Sequence, residues 1–262
     1  MDDNTYYRDH WAEVDEERLA NYQQLFQWHP AMEVLISGAD IRPGQIIVDY
    51  GCGPGGLAVE LARRVGDKGH LYGIDLNEQF VTLAREKLAA SGAAAWSTLE
   101  HVTDDNIPLA NATADRLICK NVLEYVTDHT AVIREFHRVV KPGGLVHVID
   151  SDWGMIAVEP LGRDKLDELL KAAGCAYKTP LIGRLLYSEM KRAGFSQVTV
   201  KIIASADTSG RLLPVLKNFA GYAQVGGMGR ARAQALLDEI SAAIADGTFM
   251  MVLPQFLVTA RK

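Results

Sequence analysis

The chain has 262 residues, 48% hydrophobic and 23% charged, with a formal net charge of −6. That length allows one large domain or a domain with a sizeable lid, and the composition is that of a soluble globular enzyme. The negative balance, with no Lys/Arg run, argues against a nucleic-acid polyanion as main partner. Cys52, Cys119 and Cys175 form no C-x-x-C pair. Their scatter excludes a dense disulfide framework, a four-cysteine zinc site and a three-thiolate iron–sulfur cluster. The start Met1-Asp-Asp-Asn-Thr5 carries no signal-peptide pattern, and no apolar run approaches the ~20 residues of a membrane span. A cytoplasmic protein is expected.

In chain order, residues 1–40 read as a helical cap. Leu19, Tyr22, Leu25, Phe26, Met32, Val34, Leu35 and Ile36 recur at near-helical spacing, interrupted by Pro30. From 44, strands and helices alternate. Strands are predicted at 45–50, 70–75, 97–103, 115–119 and 145–150, and helices at 57–65, 77–91 and 128–139. The polar alternation of 97–103 puts it toward the sheet edge. Helices at 161–174 and 181–194 each stop at a glycine. A β-rich stretch, 196–206, leads to helices at 211–223 and 230–245. Residues 249–260 read as a last strand in which Pro254 forces a start, bulge or kink. The fold predicted is α/β: a doubly wound, Rossmann-like, mostly parallel seven-stranded sheet. The cap covers 1–40 and the α/β core 41–155. Residues 156–262 supply the rest of the sheet and an amphipathic insertion at about 207–248, far longer than a hairpin loop and read as a substrate lid.

The most informative stretch is Ile46-Ile-Val-Asp-Tyr-Gly-Cys-Gly-Pro-Gly-Gly56. A buried strand ends in an acid and enters a glycine turn that opens a helix, so a nucleotide-like ligand is expected there. Gly51, Gly53 and Gly56 satisfy G-x-G-x-x-G, which alone fits a dinucleotide. Asp49 beneath the turn would repel a pyrophosphate and attract an ammonium group. Pro54 removes one N–H from any phosphate nest. Asp75 ends the next strand, where an acid accepts ribose hydroxyls, a role shared by NAD and S-adenosylmethionine. Asn77 can cap the following helix and leave Asp75 free for that role.

Val48-Asp-Tyr-Gly-Cys-Gly-Pro-Gly55, Gly73-Ile-Asp-Leu-Asn77, Leu123-Glu-Tyr-Val-Thr-Asp128 and Lys141-Pro-Gly-Gly144 resemble, in order, the motifs of class I S-adenosylmethionine-dependent methyltransferases. The similarity spans about residues 30–150 and is nearest the ubiquinone/menaquinone-biosynthesis-like small-molecule branch. It implies S-adenosylmethionine as cofactor. Asp49 and the Gly51, Cys52 and Gly53 backbone would receive the methionine end, Asp75 the ribose, and Leu76 would lie against the adenine. Asp104 or Asp105 would stand beside the adenine amino group, with a plain Asx turn as the alternative. The segment after the fourth strand would pass beneath the methyl group. It makes Lys120, Glu124 and Tyr125 candidate contacts, with Glu124 a candidate catalytic group; an ordinary helix start is the alternative. Related enzymes fold an N-terminal aromatic segment over the cofactor, so Tyr7 (or Tyr6) is a candidate cofactor contact. Trp11 is a candidate acceptor contact. His10 is a candidate base with a pKa near neutrality; for this whole segment an amphipathic helix anchored by Tyr and Trp is the alternative. Trp153 and Tyr222 are candidate walls of an acceptor site, with simple lid packing the alternative for Trp153.

No metal is expected: the histidines lack ligand spacing, and Asp150 and Asp152 lack a downstream Asp-Asn pair. The function expected is methyl transfer to a small-molecule acceptor by a monomer or homodimer, with no nucleic acid or membrane partner. A nicotinamide oxidoreductase, or a relative that binds the cofactor without methylating, stays open at this point.

Overall fold

The computed structural model describes residues 4–262. Three helices lead: α1 (Tyr6–Ala12), α2 (Glu16–Leu25) and the short α3 (Glu33–Ile36). The α/β core follows as β1 (Ile46–Tyr50), α4 (Gly56–Val65), β2 (His70–Asp75), α5 (Glu78–Ala90), β3 (Ser97–His101), β4 (Ala114–Lys120), α6 (His129–Val139) and β5 (Val140–Ser151). Next come β6 (Ala157–Glu159), α7 (Gly162–Ala173), α8 (Ile182–Arg192), β7 (Ser196–Ile203) and β8 (Ala206–Asp207). The chain ends with α9 (Leu213–Val225), α10 (Arg230–Ala245), β9 (Met250–Val252) and β10 (Gln255–Arg261).

Seven strands form one sheet in the order β3-β2-β1-β4-β5-β10-β7. The first five are parallel, and β10 runs antiparallel between β5 and β7. Successive side chains of a strand face opposite ways, and both faces here are apolar. Ile47, Leu71 and Ile118 pack against Leu61 of α4 and Val81 and Leu88 of α5. Val48, Leu117 and Val146 pack against Ile133 and Phe136 of α6 and Leu186 of α8. Helix starts follow sequence chemistry: Asn77 accepts from Phe80 N at 2.9 Å, and Asp128 accepts from the N–H groups of Thr130 and Ala131. The strand order reverses between β1 and β4, and ligands of open α/β sheets bind in the crevice at such a point.

The C-terminal third differs from the expected strands. The 249–260 stretch divides at Leu253-Pro254 into β9 and β10, because proline has no N–H to continue a ladder. The 196–206 stretch divides likewise into β7 and β8. The small strands β6, β9 and β8 make a separate antiparallel sheet. Trp153, Leu166, Leu169, Leu216, Phe219, Leu236, Ile240 and Phe249 bury one another in a second core. That core joins α9 and α10 to β6 and α7, which lie before the 207–248 insertion. Residues 121–127 make turns and no helix.

Phe136 is fully buried in the main core. Phe136→Ala is expected to cost about 3–5 kcal/mol of stability, read as a lowered urea midpoint at unchanged slope.

Candidate cofactor and acceptor site

The carboxyl ends of β1, β2 and β4 open into a cleft of about 1020 Å³, its mouth included. Its walls include Trp11, Asp49, Gly51, Cys52, Gly53, Asp75, Leu76, Asp104, Asp105, Lys120 and Tyr125, so the structure gathers these candidates in one place. Phe26, Met32, Leu57, Phe80 and Asn121 also line it.

The glycine turn is held by its own neighbours. Gly51 N and Cys52 N both donate to Ile74 O, at 2.9 and 3.0 Å. Gly53 N donates to Asp75 Oδ2 at 2.8 Å, and Gly55 N to Cys52 O at 3.2 Å. Pro54 has no N–H. Four of the turn's N–H groups are therefore spent within the protein and Pro54 offers none, which weakens the turn as a pyrophosphate nest. Gly51 has φ +75°, and a Cβ there would sit 2.3 Å from Val122 Cγ2. At Gly56 a Cβ would meet the carbonyl oxygen of Phe26 at 2.0 Å, so the end of α2 seats directly on the start of α4.

The cleft is rich in acceptors. Asp49 is 2% exposed, and its Oδ2 has no partner. Burial pushes its pKa up to about 7; the nearby Asp75 adds to this and Lys120 opposes it. Asp75 Oδ1 accepts from Asn77 N at 2.9 Å, and burial raises its pKa to about 6 against those backbone donors. Because Asn77 caps α5, Asp75 is not consumed as a cap for it. Asn121 Oδ1 is also buried without a partner, on a backbone at φ +54°. Sequence reasoning passed over Asn121. Its only signal was that Asn tolerates this left-handed conformation where a strand must turn sharply. Asp104 forms the Asx turn weighed for it, accepting from Asn106 N at 2.9 Å, while Asp105 pairs with Arg8 at 3.5 Å. Lys120 is the cation of this wall. Burial lowers its pKa, while Asp150, Asp49 and Glu124 hold it up.

Five candidates stand outside the cleft wall. The Tyr7 hydroxyl lies 3.3 Å from Thr127 Oγ1, and Trp11, one helical turn on, reaches the cleft instead. Glu124 is 1% exposed and accepts from the Trp153 indole N–H, so it is neither solvated nor at the cleft surface. Burial, then the neighbouring Asp150, holds its carboxyl well above the usual range. Trp153 and Tyr222 belong to the second core. His10 sits behind Trp11 and Tyr125, with ring centroids 5.3 and 5.7 Å away. Burial lowers its pKa to about 4, which corrects the expectation of a base near neutrality. Asp150 accepts from Leu123 N and Ser151 N, and Asp152 pairs with Arg184. Among the described residues no group of three or more His, Cys, Asp or Glu could hold a metal ion.

A family model described as a methyltransferase domain matches residues 47–144. That span is a class I methyltransferase domain. Its curated relatives include a protein of Streptomyces fradiae named "Uncharacterized 37.1 kDa protein in transposon TN4556", 26% identical over 87% of this chain and 66% of its own length. The ubiquinone/menaquinone biosynthesis C-methyltransferase UbiE of Vibrio cholerae is 34% identical over 48% of this chain and 47% of its own length. The chain thus spans about half to two thirds of the curated relatives it matches. Among solved structures, that of the [4+2]-cyclase SpnF has the same fold, with a TM-score of 0.58 at 20% identity, covering 88% of this chain and 79% of that one. No helix among the described residues is long and apolar enough to cross a membrane.

The residues around Asp49 fit S-adenosylmethionine, the cofactor of this domain family, because an orphaned buried carboxylate matches its ammonium group. An ammonium favours ionised Asp49, whose carboxyl is mostly protonated below about pH 7. Binding of S-adenosylhomocysteine, which carries the same amino group, is expected to release a proton near pH 6 and to tighten as pH rises to about 7. Calorimetry in two buffers of different ionisation enthalpy measures this. Asp49→Asn is expected to abolish the proton release and to cost about 1.5–3 kcal/mol at pH 7.5. Gly51→Ala is expected to abolish S-adenosylhomocysteine binding in the same assay, since φ and Val122 both oppose a Cβ.

Proposed function

We propose that the protein transfers a methyl group from S-adenosylmethionine to a small-molecule acceptor. The carrying observation is Asp49, a buried carboxylate with an unpartnered oxygen, beneath a glycine turn that spends the N–H groups of Gly51, Cys52, Gly53 and Gly55 internally. The bound cofactor supplies an electrophilic methyl group on a sulfonium. The chain's own residues hold it, place the acceptor and exclude water. Asp49 and Asn121 would take the ammonium, Asp75 the ribose hydroxyls, and Leu76 with Asp104 or Asp105 the adenine. Lys120, Trp11 and Tyr125 would face the reacting end. Tyr7 keeps a supporting role, anchoring α1 through Thr127.

The second core would act as an acceptor lid: Tyr125 of the cleft wall packs against it, Trp153 and Tyr222 belong to it, and Glu124 bonds the Trp153 indole. Such an enclosed, aromatic surround suits a metabolite better than a polymer. The similarity to UbiE, a C-methyltransferase of ubiquinone/menaquinone biosynthesis, supports a small acceptor. A cytoplasmic location, a monomer or homodimer, and the absence of nucleic-acid and membrane partners belong to the same proposal.

A second reading has one support: a [4+2]-cyclase has this fold, so the fold alone does not fix methyl transfer. The test pairs calorimetry with NAD⁺ and with S-adenosylhomocysteine to transfer of labelled methyl from S-adenosylmethionine into small-molecule fractions. Binding of S-adenosylhomocysteine alone, with labelled product, is expected. Preference for NAD⁺ would sink the proposal; binding with no label in any acceptor would leave the cyclase-like reading.

A further inference from the structure

We infer that Asp49 and Lys120 form a two-point clamp for an α-amino acid, Asp49 taking the ammonium of the methyl donor and Lys120 its carboxylate, so that the cleft selects a donor whose amino acid end is intact. The inference rests on the methyl-transfer reading and names the part of the donor that is selected.

Strand register places the two charges. In the parallel pair of β1 and β4, Asp49 lies opposite Ile118, and Lys120 stands two residues beyond Ile118. Alternate residues of a strand share a face, as do register partners on adjacent strands. Asp49 and Lys120 therefore point to the same side of the sheet. Ile47 and Ile118, two residues before each of them, pack with Leu61 of α4, which identifies that side. A strand spacing of about 4.8 Å and a rise of about 3.3 Å per residue put the two Cα atoms about 8 Å apart. Both residues line the cleft.

Opposite charges on one face at this spacing could pair, and these two do not. Among the described residues Asp49 Oδ2 has no partner. Beyond burial, what acts on the Lys120 ammonium is the charge of Asp150, Asp49 and Glu124 at a distance, with no hydrogen bond. Asp49 feels Lys120 in the same way. The two are neighbours across an open gap. A buried charge without a partner is costly, and a zwitterion supplies both partners at once. An α-amino acid carries its ammonium and carboxylate on one carbon and bridges such a gap. The unpartnered Oδ1 of Asn121 gives the ammonium a second acceptor.

Two anions could meet Lys120: an acidic acceptor, or the donor's own carboxylate. The surroundings favour the carboxylate. Gly56 and Leu57 of the first turn of α4 line the same cleft, and a helix N-terminus favours negative charge. The ribose side, marked by Asp75 on β2, lies one strand beyond Asp49 and away from Lys120. The methionine end of the donor is thus the part that meets β1 and β4 together.

The experiment titrates the full chain by calorimetry at pH 8 with S-adenosylhomocysteine and with its decarboxylated analogue, S-adenosyl-3-thiopropylamine. The analogue keeps the adenosine, the sulfur and the ammonium and lacks only the carboxylate. S-adenosylhomocysteine is expected to bind about thirtyfold tighter, or about 2 kcal/mol. Lys120→Met nearly keeps the length of the side chain and removes its charge. It is expected to weaken S-adenosylhomocysteine by about tenfold or more and to leave the analogue no weaker, so the ratio falls to about threefold. Lys120→Arg, which keeps the charge, is expected to hold the ratio above about tenfold. The ratio is read within one protein, so a variant of lower stability still reports. A lysine that merely supported the cleft would weaken both ligands alike. Equal affinities in the unaltered chain would overturn the inference. So would a ratio that Lys120→Met leaves unchanged, which would assign Lys120 to an acidic acceptor. Failure of S-adenosylhomocysteine to bind the unaltered chain would instead overturn the methyl-transfer reading on which it rests.

Discussion

The end of β2 gives the cleft its shape. Ile74 accepts through one carbonyl from both Gly51 and Cys52, and the Asp75 carboxylate accepts from Gly53 and Asn77. The glycine turn is thus anchored to the neighbouring strand before any ligand arrives. The N–H groups of Gly51, Cys52, Gly53 and Gly55 are spent internally, and Asp49 and Asn121 add unpartnered oxygens to the cleft. A turn that satisfied the same glycine pattern but kept its N–H groups free would favour an anion. Here four of those N–H groups are spent, and Asp49 Oδ2 sits unpaired below.

A second group of charges lies one strand further along. Lys120 stands among Asp49, Asp150 and Glu124, and Glu124 reaches the second core through the Trp153 indole. Burial raises the carboxyl pKa values, to about 7 for Asp150, and lowers that of the lysine. Fewer charges in the cluster are then fully ionised, which reduces the penalty of holding them out of water. The same residues connect the cofactor wall to the aromatic interior above it.

Most of the core was legible because its signals are local. The runs around Ile47, Leu71 and Leu117 bury both faces and are bounded by turn residues, and Asn77 and Asp128 stand where helix caps belong. Asp49, Asp75, Lys120 and the glycines follow from strand ends in sequence order. What stayed hidden depends on distant partners. β6 and α7 look like ordinary continuation of the core, yet Leu166 and Leu169 bury against Phe219 and Leu236, more than forty residues on. His10 reads as a titrating base until Tyr125 and Tyr222 close around it. Tyr7 and Trp11 share a helix face, and only the tertiary position of α1 decides which of them meets the cleft. Asn121 has no pattern around it: its unpaired oxygen appears only when the surrounding strands are in place.

The chain leaves the main sheet at β7, passes through β8, and returns through β9 into β10. β8 pairs with β9 while β7 pairs with β10, both antiparallel. The two ends of the insertion therefore lie side by side, like the legs of a clip. Lengthening, shortening or exchanging the segment between them alters no strand register in the main sheet and adds little loop-closure entropy. Asp49 and Asp75 sit at the ends of β1 and β2, strands that this traffic never crosses. The clipped segment can therefore be exchanged while the strands that carry Asp49 and Asp75 stay as they are.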